Sequence, residues 1–208
     1  MAKLRVLGRV TSINVRKVLW LLDEIGIGYE REDWGLPLRD PNVPEFLALN
    51  PNARVPVVVD DGFVLWESNA ILRYLAEKHD SPLLPAELRQ RALVDQWLSW
   101  QASDLNGQSL YPFYALVRKV PGYDDAARLA ASIRGWGATM AVLDRQVEKT
   151  GAFAAGTTFS LADIALGLSV HRWFHTPFER PPLPSVAAYY DRLRERPAAR
   201  PHLTAEIP

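Results

Sequence analysis

Cysteine is absent from the 208-residue sequence. The chain therefore has no thiol nucleophile, CxxC redox pair, disulfide bond, iron–sulfur cluster or cysteine-ligated zinc site of its own. Long apolar runs are missing too: no stretch approaches the roughly 18 residues that span a bilayer, and the segment MAKLRVLGRV lacks the apolar core of a signal peptide. We therefore expect a cytoplasmic protein that has no membrane partner.

An excess of charge of one sign is also missing, because 24 Lys and Arg residues face 24 Asp and Glu residues. This balance predicts neither a nucleic-acid partner nor binding to an anionic membrane. What the composition does contain is 48% hydrophobic residues, 10% of the chain being aromatic. These values are typical of a folded globular protein that needs no disulfide bonds.

The first 35 residues carry alternating strand and helix signals. Residues 3–8 predict a short strand, and apolar side chains spaced three and four apart between Val15 and Ile25 predict a helix. Residues 27–34 then predict a second strand. Because the joints are short, we expect a βαβ unit with two parallel strands and a right-handed crossover.

A connection rich in proline and asparagine follows, with one helical turn predicted at 44–50. The runs VPVVVD and FVLWE then flank Asp61-Gly62, and this pair between two apolar runs predicts a β-hairpin. A helix is predicted at 67–79, with Ala70, Ile71, Tyr74 and Leu75 on its inner face. The predicted order up to this point is β-α-β-(α)-β-β-α.

Strand signals almost vanish in the second part of the chain. Residues 81–88 contain two prolines and are predicted to be a linker. Apolar periodicities predict helices beginning near Leu93 and Ile133, and Ser160 to Asp163 resembles a capping box at the start of another. The sequence therefore predicts an α/β domain over 1–80 and an all-α domain over 89–208.

Two weak signals for a ligand site involve helix starts in the first domain. Ser12 and Asn14 stand where a strand gives way to a helix, whose free N–H groups and positive dipole end favour an anion. Glu67 and Ser68 stand at the start of the later helix, where they could hold an ammonium group and a carboxylate together. In both places the side chains could instead simply cap the helix.

A third signal is the Arg54-Val55-Pro56 segment at the start of the hairpin. A cis bond before Pro56 would turn the main-chain N–H and C=O groups of Val55 outward, where an extended peptide could pair with them. The alternative is an ordinary edge-strand proline, and cis bonds are the minority before proline.

In the helical domain, aromatic side chains could either line an apolar ligand pocket or form an ordinary core; they are Trp97, Trp100, Tyr111, Phe113 and Tyr114. His171 and His175 are four residues apart, but no third ligand stands in a recognisable motif. We therefore predict no metal site.

Together these features resemble a cytosolic glutathione transferase. The resemblance is most specific in NPNARVPVVVDDGFVLWESNAILRYLAEKH (50–79), and Ser160 to Asp163 matches the family's S-x-A-D element. It implies a thioredoxin-like amino-terminal domain (βαβ-α-ββα) followed by a helical-bundle domain, a cis bond before Pro56, glutathione as co-substrate and a homodimer. The pattern Ser12-x-Asn14-x-x-Lys17 is similar to that of serine-type, bacterial-like members.

The same resemblance implies a role for each candidate residue. Val55 would pair with the cysteinyl part of glutathione, whereas Glu67 and Ser68 would hold its γ-glutamyl end. Arg54 and Arg39 could meet the glycine carboxylate or the γ-glutamyl group. The full predicted binding set is Asn14, Arg39, Arg54, Val55, Pro56, Glu67 and Ser68, with Trp100, Tyr111 and Tyr114 around a small apolar electrophile.

The catalytic role implied for Ser12 is donation of a hydrogen bond to the glutathione thiolate, with Thr11 or Asn14 as alternative donors. Members that act as thiol reductases use a cysteine here, which this chain lacks. Two alternatives to conjugation stay open at this point. One is isomerase, dehalogenase or peroxidase chemistry by the same thiolate, and the other is a non-catalytic protein-binding module.

Overall fold

The computed structural model describes residues 3–204. The chain divides into two compact units, with the boundary between Leu84 and Pro85. This boundary lies inside the segment 81–88, and each unit is described separately below.

The first unit contains a four-stranded sheet in the order β2-β1-β3-β4. Strands β1 and β2 are parallel, and the other two pairings are antiparallel. The element order confirms the predicted β-α-β-(α)-β-β-α arrangement. The elements are β1 (Leu4–Leu7), α1 (Ile13–Ile25), β2 (Tyr29–Glu32), α2 (Pro44–Leu47), β3 (Val57–Asp60), β4 (Phe63–Trp66) and α3 (Ser68–Lys78).

The β3–β4 hairpin turns at Asp61 and Gly62, as the D-G pair predicts. Both residues have positive φ angles, 52° and 87°, which a two-residue turn of this twist requires at both positions. Asp60 and Phe63 pair directly across the turn. The turn fixes the register, so β3 places Val57 and Val58 in the core.

Helix α3 buries a stripe somewhat different from the predicted one. Ala70 and Tyr74, predicted on the inner face, are only half-buried. Tyr74 lies at the margin because its hydroxyl donates to Asp60 Oδ2 at 2.7 Å. The fully buried positions follow the three-and-four spacing of a helix and are Ile71, Leu72, Leu75 and Ala76.

In the described residues of the second unit, the regular secondary structure is helical, apart from one isolated bridge between Phe153 and Gly156. Two π-helical segments, Gln101–Leu105 and Phe113–Arg118, interrupt its first long helical stretch. The α-helices are α4 (Leu88–Trp100), α5 (Asn106–Pro112), α6 (Ala126–Thr150), α7 (Leu161–His175) and α8 (Pro184–Arg194), and Pro197–Ala199 adds a short 3₁₀ turn.

Asp163 is a buried hydrogen-bond centre at the start of α7. Its carboxylate accepts from the Ser160 N–H and hydroxyl, both at 2.9 Å, which confirms the predicted capping box. It also accepts from the Ala154 N–H and the Tyr189 hydroxyl at 2.9 Å. Burial raises the pKa of Asp163, while these hydrogen bonds act in the opposite direction. The carboxylate thus ties three segments of the unit to one point.

Replacing Asp163 should lower the free energy of unfolding far more than removing an exposed helix cap does. We expect Asp163→Ala to lower the free energy of unfolding by about 3–5 kcal/mol, because several buried donors lose their acceptor. The matched control is Asp125→Ala, which removes the carboxylate that caps α6 by accepting from the Arg128 N–H at 3.0 Å. It should cost only about 1 kcal/mol. Urea unfolding measures both, and equal losses would contradict a special role for Asp163.

Candidate functional site

A cavity of about 200 Å³ lies in the first unit. Three segments form it, namely the start of α1, the loop before β3 and the start of α3. It brings together six of the predicted binding residues and adds two asparagines. The lining is Asn14, Asn50, Asn52, Arg54, Val55, Pro56, Glu67 and Ser68.

Val55 presents its main chain at this cavity. The bond between Val55 and Pro56 is cis, as the family resemblance implies. Among the main-chain hydrogen bonds formed within residues 3–204, none uses the N–H or C=O of Val55. One donor and one acceptor are therefore available to an extended peptide, which can pair here as an added strand would.

Asn50 holds the loop that carries Val55, a role that the sequence did not suggest. Its side chain is buried, with 2% of its surface exposed, and its amide donates to the Arg54 carbonyl at 2.8 Å. The amide oxygen accepts from the Asn52 N–H and from the Asn52 side chain, both at 3.0 Å. The signal was present in NPN, since asparagine favours turns by bonding the main chain two residues on.

Glu67 occupies the residue before α3 in an unusual conformation. Its φ is 71°, a region that costs a non-glycine residue about 1–3 kcal/mol and is often found at functional sites. The side chain is exposed and makes no capping hydrogen bond to the helix. The carboxylate of Glu67 is therefore available to an ammonium group at the rim of the cavity.

Ser68 lies in a hydrogen-bonded group between α1 and α3. Its hydroxyl donates to Asn14 Oδ1 at 3.4 Å and accepts from the Lys17 ammonium at 3.5 Å. Lys17 also donates to Asn69 Oδ1 at 3.3 Å. The sequence placed Lys17 in a family pattern but gave it no task, and the structure puts it directly behind Ser68.

Ser12 stands immediately before α1 with an uncommitted hydroxyl. It has extended φ and ψ angles of −89° and 122°, as an N-cap residue should, but its side chain makes no capping hydrogen bond. The half-buried hydroxyl lies two residues before Asn14, which lines the cavity. Ser12 therefore occupies the N-cap position, but the prediction that its side chain caps the helix is wrong, because its hydroxyl accepts no hydrogen bond from the α1 N–H groups.

Arg39 is not among the residues that line the cavity. Its guanidinium stacks on the Trp34 ring at 3.7 Å and donates to Glu45 Oε1 at 2.8 Å. Glu32 lies 3.9 Å from the same guanidinium. These contacts fasten the loop after β2 to α2, so the structure gives Arg39 a role in holding this loop.

The three aromatic residues predicted around an electrophile do not form one group. Trp100 lines a cavity of about 400 Å³ between α4 and α6, together with Trp97. Tyr111 and Tyr114 instead pack around Tyr123, each with ring centroids 5.0 Å from it. The Tyr111 hydroxyl accepts a hydrogen bond from the Asp125 N–H at 3.2 Å.

The structure also bears on metal and membrane binding. Within residues 3–204, no group of three metal-ligating side chains is found, and His175 Nδ1 lies 2.9 Å from the main-chain oxygen of His171. No helix in this range is both long and apolar enough to cross a bilayer.

Comparisons with known proteins identify the family of this chain. The family model described as "Glutathione S-transferase, N-terminal domain" matches residues 2–77, and that described as "Glutathione S-transferase, C-terminal domain" matches residues 126–192. The chain belongs to the glutathione S-transferase family. Glutathione is therefore its co-substrate, and the predicted fold of a thioredoxin-like domain followed by a helical domain is confirmed.

Individual relatives cover almost the whole transferase. Glutathione S-transferase GstB of Escherichia coli K12 is 36% identical over 199 residues, which are 93% of this chain and 94% of the relative. The crystal structure of a theta class glutathione S-transferase from Xanthomonas axonopodis pv. citri with glutathione bound is 38% identical, with a TM-score of 0.91 and 98% of both chains covered. Disulfide-bond oxidoreductase YfcG of E. coli K12 is 31% identical over 195 residues, which are 89% of this chain and 87% of the relative.

Asn50 provides a direct test of how the cavity loop is held. We expect Asn50→Ala to lower the free energy of unfolding by about 1–3 kcal/mol, because the Arg54 carbonyl and the Asn52 N–H lose the buried Asn50 side chain as a partner. The control is Asn42→Ala, an exposed asparagine that bonds Asp40 in a neighbouring turn. It should change stability by less than about 0.5 kcal/mol in the same urea titration. A loss as small as that of the control would show that Asn50 does not hold the loop.

Proposed function

We propose that this transferase is of the serine type and conjugates glutathione to small apolar electrophiles, with Ser12 as the catalytic residue that stabilises the thiolate. The observation that carries this proposal is the uncommitted hydroxyl of Ser12 at the start of α1. A helix start that is not capped by its own N-cap side chain keeps its N–H groups and its dipole available for a bound anion.

The energy needed to activate the thiol is within reach of this arrangement. An ordinary thiol ionises near pH 8.5, and lowering its pKa by about two units takes roughly 2.7 kcal/mol of preferential thiolate stabilisation. A hydrogen bond to a charged group supplies about 1.5–3 kcal/mol. The helix dipole adds about 0.3–1 kcal/mol. Ser12 therefore only has to donate its proton in a hydrogen bond and need not lose it.

Glutathione would lie across the cavity with its γ-glutamyl end at α3. Its α-carboxylate would meet the Ser68 hydroxyl and the first N–H groups of α3, and its ammonium group would meet the Glu67 carboxylate. The free main-chain groups of Val55 would pair with the cysteinyl residue, and exposed Arg54 would meet the glycine carboxylate. Arg39 is left out because its guanidinium is held by Trp34 and Glu45.

In the chemical step the thiolate attacks an electrophilic carbon, so a carbon–sulfur bond forms while a leaving group departs with the electron pair of its bond. Of the two tyrosines predicted for the electrophile, Tyr114 is half-buried and Tyr111 is 6% exposed. Trp100 belongs to a different cavity. We therefore infer that Tyr114 and Tyr111 line the electrophile side.

The relative named as a disulfide-bond oxidoreductase favours one second candidate, thiol–disulfide exchange with glutathione. Because the chain has no cysteine, both sulfur atoms of such an exchange would have to come from glutathione and the substrate. Product analysis distinguishes the two reactions. Conjugation yields a thioether that survives reduction, whereas exchange yields oxidised glutathione or a mixed disulfide.

We also infer a homodimer, following the family. The supporting surface is the α4–α6 cavity, where Trp97 and Trp100 face a stripe of α6 that contains Val142, Arg145 and Lys149. Val142 is 38% exposed, so an apolar side chain remains open at this place. Covering it with a second copy would remove apolar surface from water.

The role of Ser12 predicts a shifted ionisation of bound glutathione. In Ser12→Ala we expect the ultraviolet thiolate band to titrate about two pH units higher than in the native complex, because the sulfur loses its donor. Activity at pH 6.5 should fall by about 50-fold and should recover towards the native value near pH 9. Thr11→Ala, which changes the neighbouring hydroxyl, should leave the midpoint in place. A native midpoint like that of free glutathione would refute activation by this site.

The dimer is tested by the molar mass in solution. Light scattering should give twice the chain mass of 23.4 kDa for the native protein. We expect Val142→Arg to shift the protein towards monomer, because it places a charge among Trp97, Trp100 and two existing cations. The control is Leu88→Arg at the 77% exposed start of α4, which should stay dimeric. A native monomer would contradict the inference.

A further inference from the structure

Tyr123 completes a group of three tyrosine rings in the helical unit, and no step of the proposed mechanism uses it. Its ring centroid lies 5.0 Å from that of Tyr111 and 5.0 Å from that of Tyr114. Tyr111 is 6% exposed, whereas Tyr114 and Tyr123 are half-buried. The rings of this group that a small molecule can reach are therefore mainly those of Tyr114 and Tyr123.

A tight turn from Val120 to Tyr123 sets the backbone just before the Tyr123 ring. The Tyr123 N–H donates to the Val120 carbonyl at 3.3 Å, and Gly122 has a φ of 85°. Proline at the second position and glycine with a positive φ at the third are typical of a type II turn, and Pro121 and Gly122 occupy these positions. The sequence of four residues therefore favours this conformation by itself.

Both sides of this turn are tied to the other two tyrosines. On one side, the Val120 N–H donates to the Tyr114 carbonyl at 3.0 Å. On the other side, the Asp125 N–H donates to the Tyr111 hydroxyl at 3.2 Å. Tyr123 lies between these two anchor points. Its ring is therefore preorganised, and a ligand that contacts it loses little free energy in ordering the loop.

The rings of Tyr114 and Tyr123 are perpendicular, with an interplanar angle of 90°. A flat ring that lies parallel to one of them is therefore perpendicular to the other. Aromatic pairs favour both arrangements, offset-stacked and edge-to-face, and gain free energy from them beyond the burial of area. A planar aromatic ligand can make both contacts at once, whereas a saturated group of the same size gains only from the burial of its apolar surface.

We propose that Tyr123 is a specificity-determining residue, which makes the transferase prefer electrophiles whose reactive carbon is carried by a flat aromatic ring. This rests on the proposed function, in which Tyr114 and Tyr111 line the electrophile side. Tyr123 contacts the body of the electrophile and touches neither the reacting carbon nor the sulfur. It therefore governs the choice between electrophiles, while ionisation of the sulfur depends on Ser12.

The test compares two iodides with the same number of carbons, 2-phenylethyl iodide and 2-cyclohexylethyl iodide. In both, the glutathione thiolate attacks the carbon that carries iodine, so a carbon–sulfur bond forms and iodide leaves with the electron pair of the broken bond. The quantity measured is kcat/KM with the full chain, divided by the rate constant of the uncatalysed reaction. In the native protein this ratio should be about 5- to 100-fold higher for the phenyl compound, because two aromatic contacts favour it.

Three variants separate the ring of Tyr123 from its other properties. Tyr123→Leu removes the ring and should lower the preference for the phenyl compound by about 2- to 10-fold, because one aromatic contact is lost. Tyr123→Phe keeps the ring and should retain the native preference within about twofold. The matched control is Tyr29→Leu, which replaces a half-buried tyrosine on β2 and should leave the preference unchanged. Tyr123→Met replaces Tyr123→Leu if the melting temperature shows that the latter does not fold.

The outcomes distinguish this inference from the proposed function. Equal losses with both iodides in Tyr123→Leu would overturn the inference, since a merely structural tyrosine would act on both alike, and would leave the role of Ser12 standing. The midpoint of the thiolate band should be the same in all folded variants, and a shift in Tyr123→Leu would contradict the separation between selectivity and ionisation. If the native protein conjugated neither iodide and left the thiol of bound glutathione unshifted, the proposed function and this inference would both fall.

Discussion

The whole site depends on two helix starts whose N-cap side chains do not cap. Ser12 and Glu67 precede α1 and α3, and neither side chain bonds the N–H groups of its helix. In the helical unit, two helices, α4 and α6, show the opposite behaviour. There Glu87 accepts from two N–H groups of α4 at 2.9 and 2.8 Å, and Asp125 caps α6. Because unsatisfied N–H groups need a partner, the two open helix starts are where an anion binds most favourably.

Sequence patterns predicted the fold of the first unit well because the conformation of its hairpin and helices is determined by local sequence. The Asp61-Gly62 pair determines the hairpin turn, and apolar spacing determines α1 and α3. The β-α-β-β-α order restricts the relative positions of the loop before β3 and of the starts of α1 and α3. This is why six predicted binding residues line one cavity although they come from three separated segments.

The contacts of two residues, Arg39 and Asn50, could not be predicted from the sequence because they join separate segments. The family resemblance implied that Arg39 could meet the glycine carboxylate or the γ-glutamyl group of glutathione, and in the structure its guanidinium contacts the ring of Trp34 and the carboxylate of Glu45. Asn50 was missed because its role depends on the hydrogen bond from its amide to the Arg54 carbonyl. The composition of a loop does not show which carbonyl a side chain will bond.

The aromatic residues of the helical unit show a different limit. Trp100 and Tyr111 are 11 residues apart, which is about three turns of a regular α-helix and would put them on one face. The π-helical segment Gln101–Leu105 lies between them and changes the rotation per residue, so their spacing alone does not place them on one face. Periodicity predicts a shared face only where the helix stays regular.

In the proposed mechanism, the two open helix starts would meet different kinds of charge on glutathione, and this difference would separate affinity from reactivity. In the proposed orientation, the ligand carboxylate at α3 would be charged throughout the reaction, so any stabilisation from Ser68 would be equal before and during attack and would strengthen binding alone. At α1 the sulfur acquires its charge only on ionisation, so a donor such as Ser12 favours the reactive form over the resting thiol. On the proposed mechanism, a chain without cysteine would therefore carry out thiolate chemistry by binding glutathione at one helix and ionising it at the other.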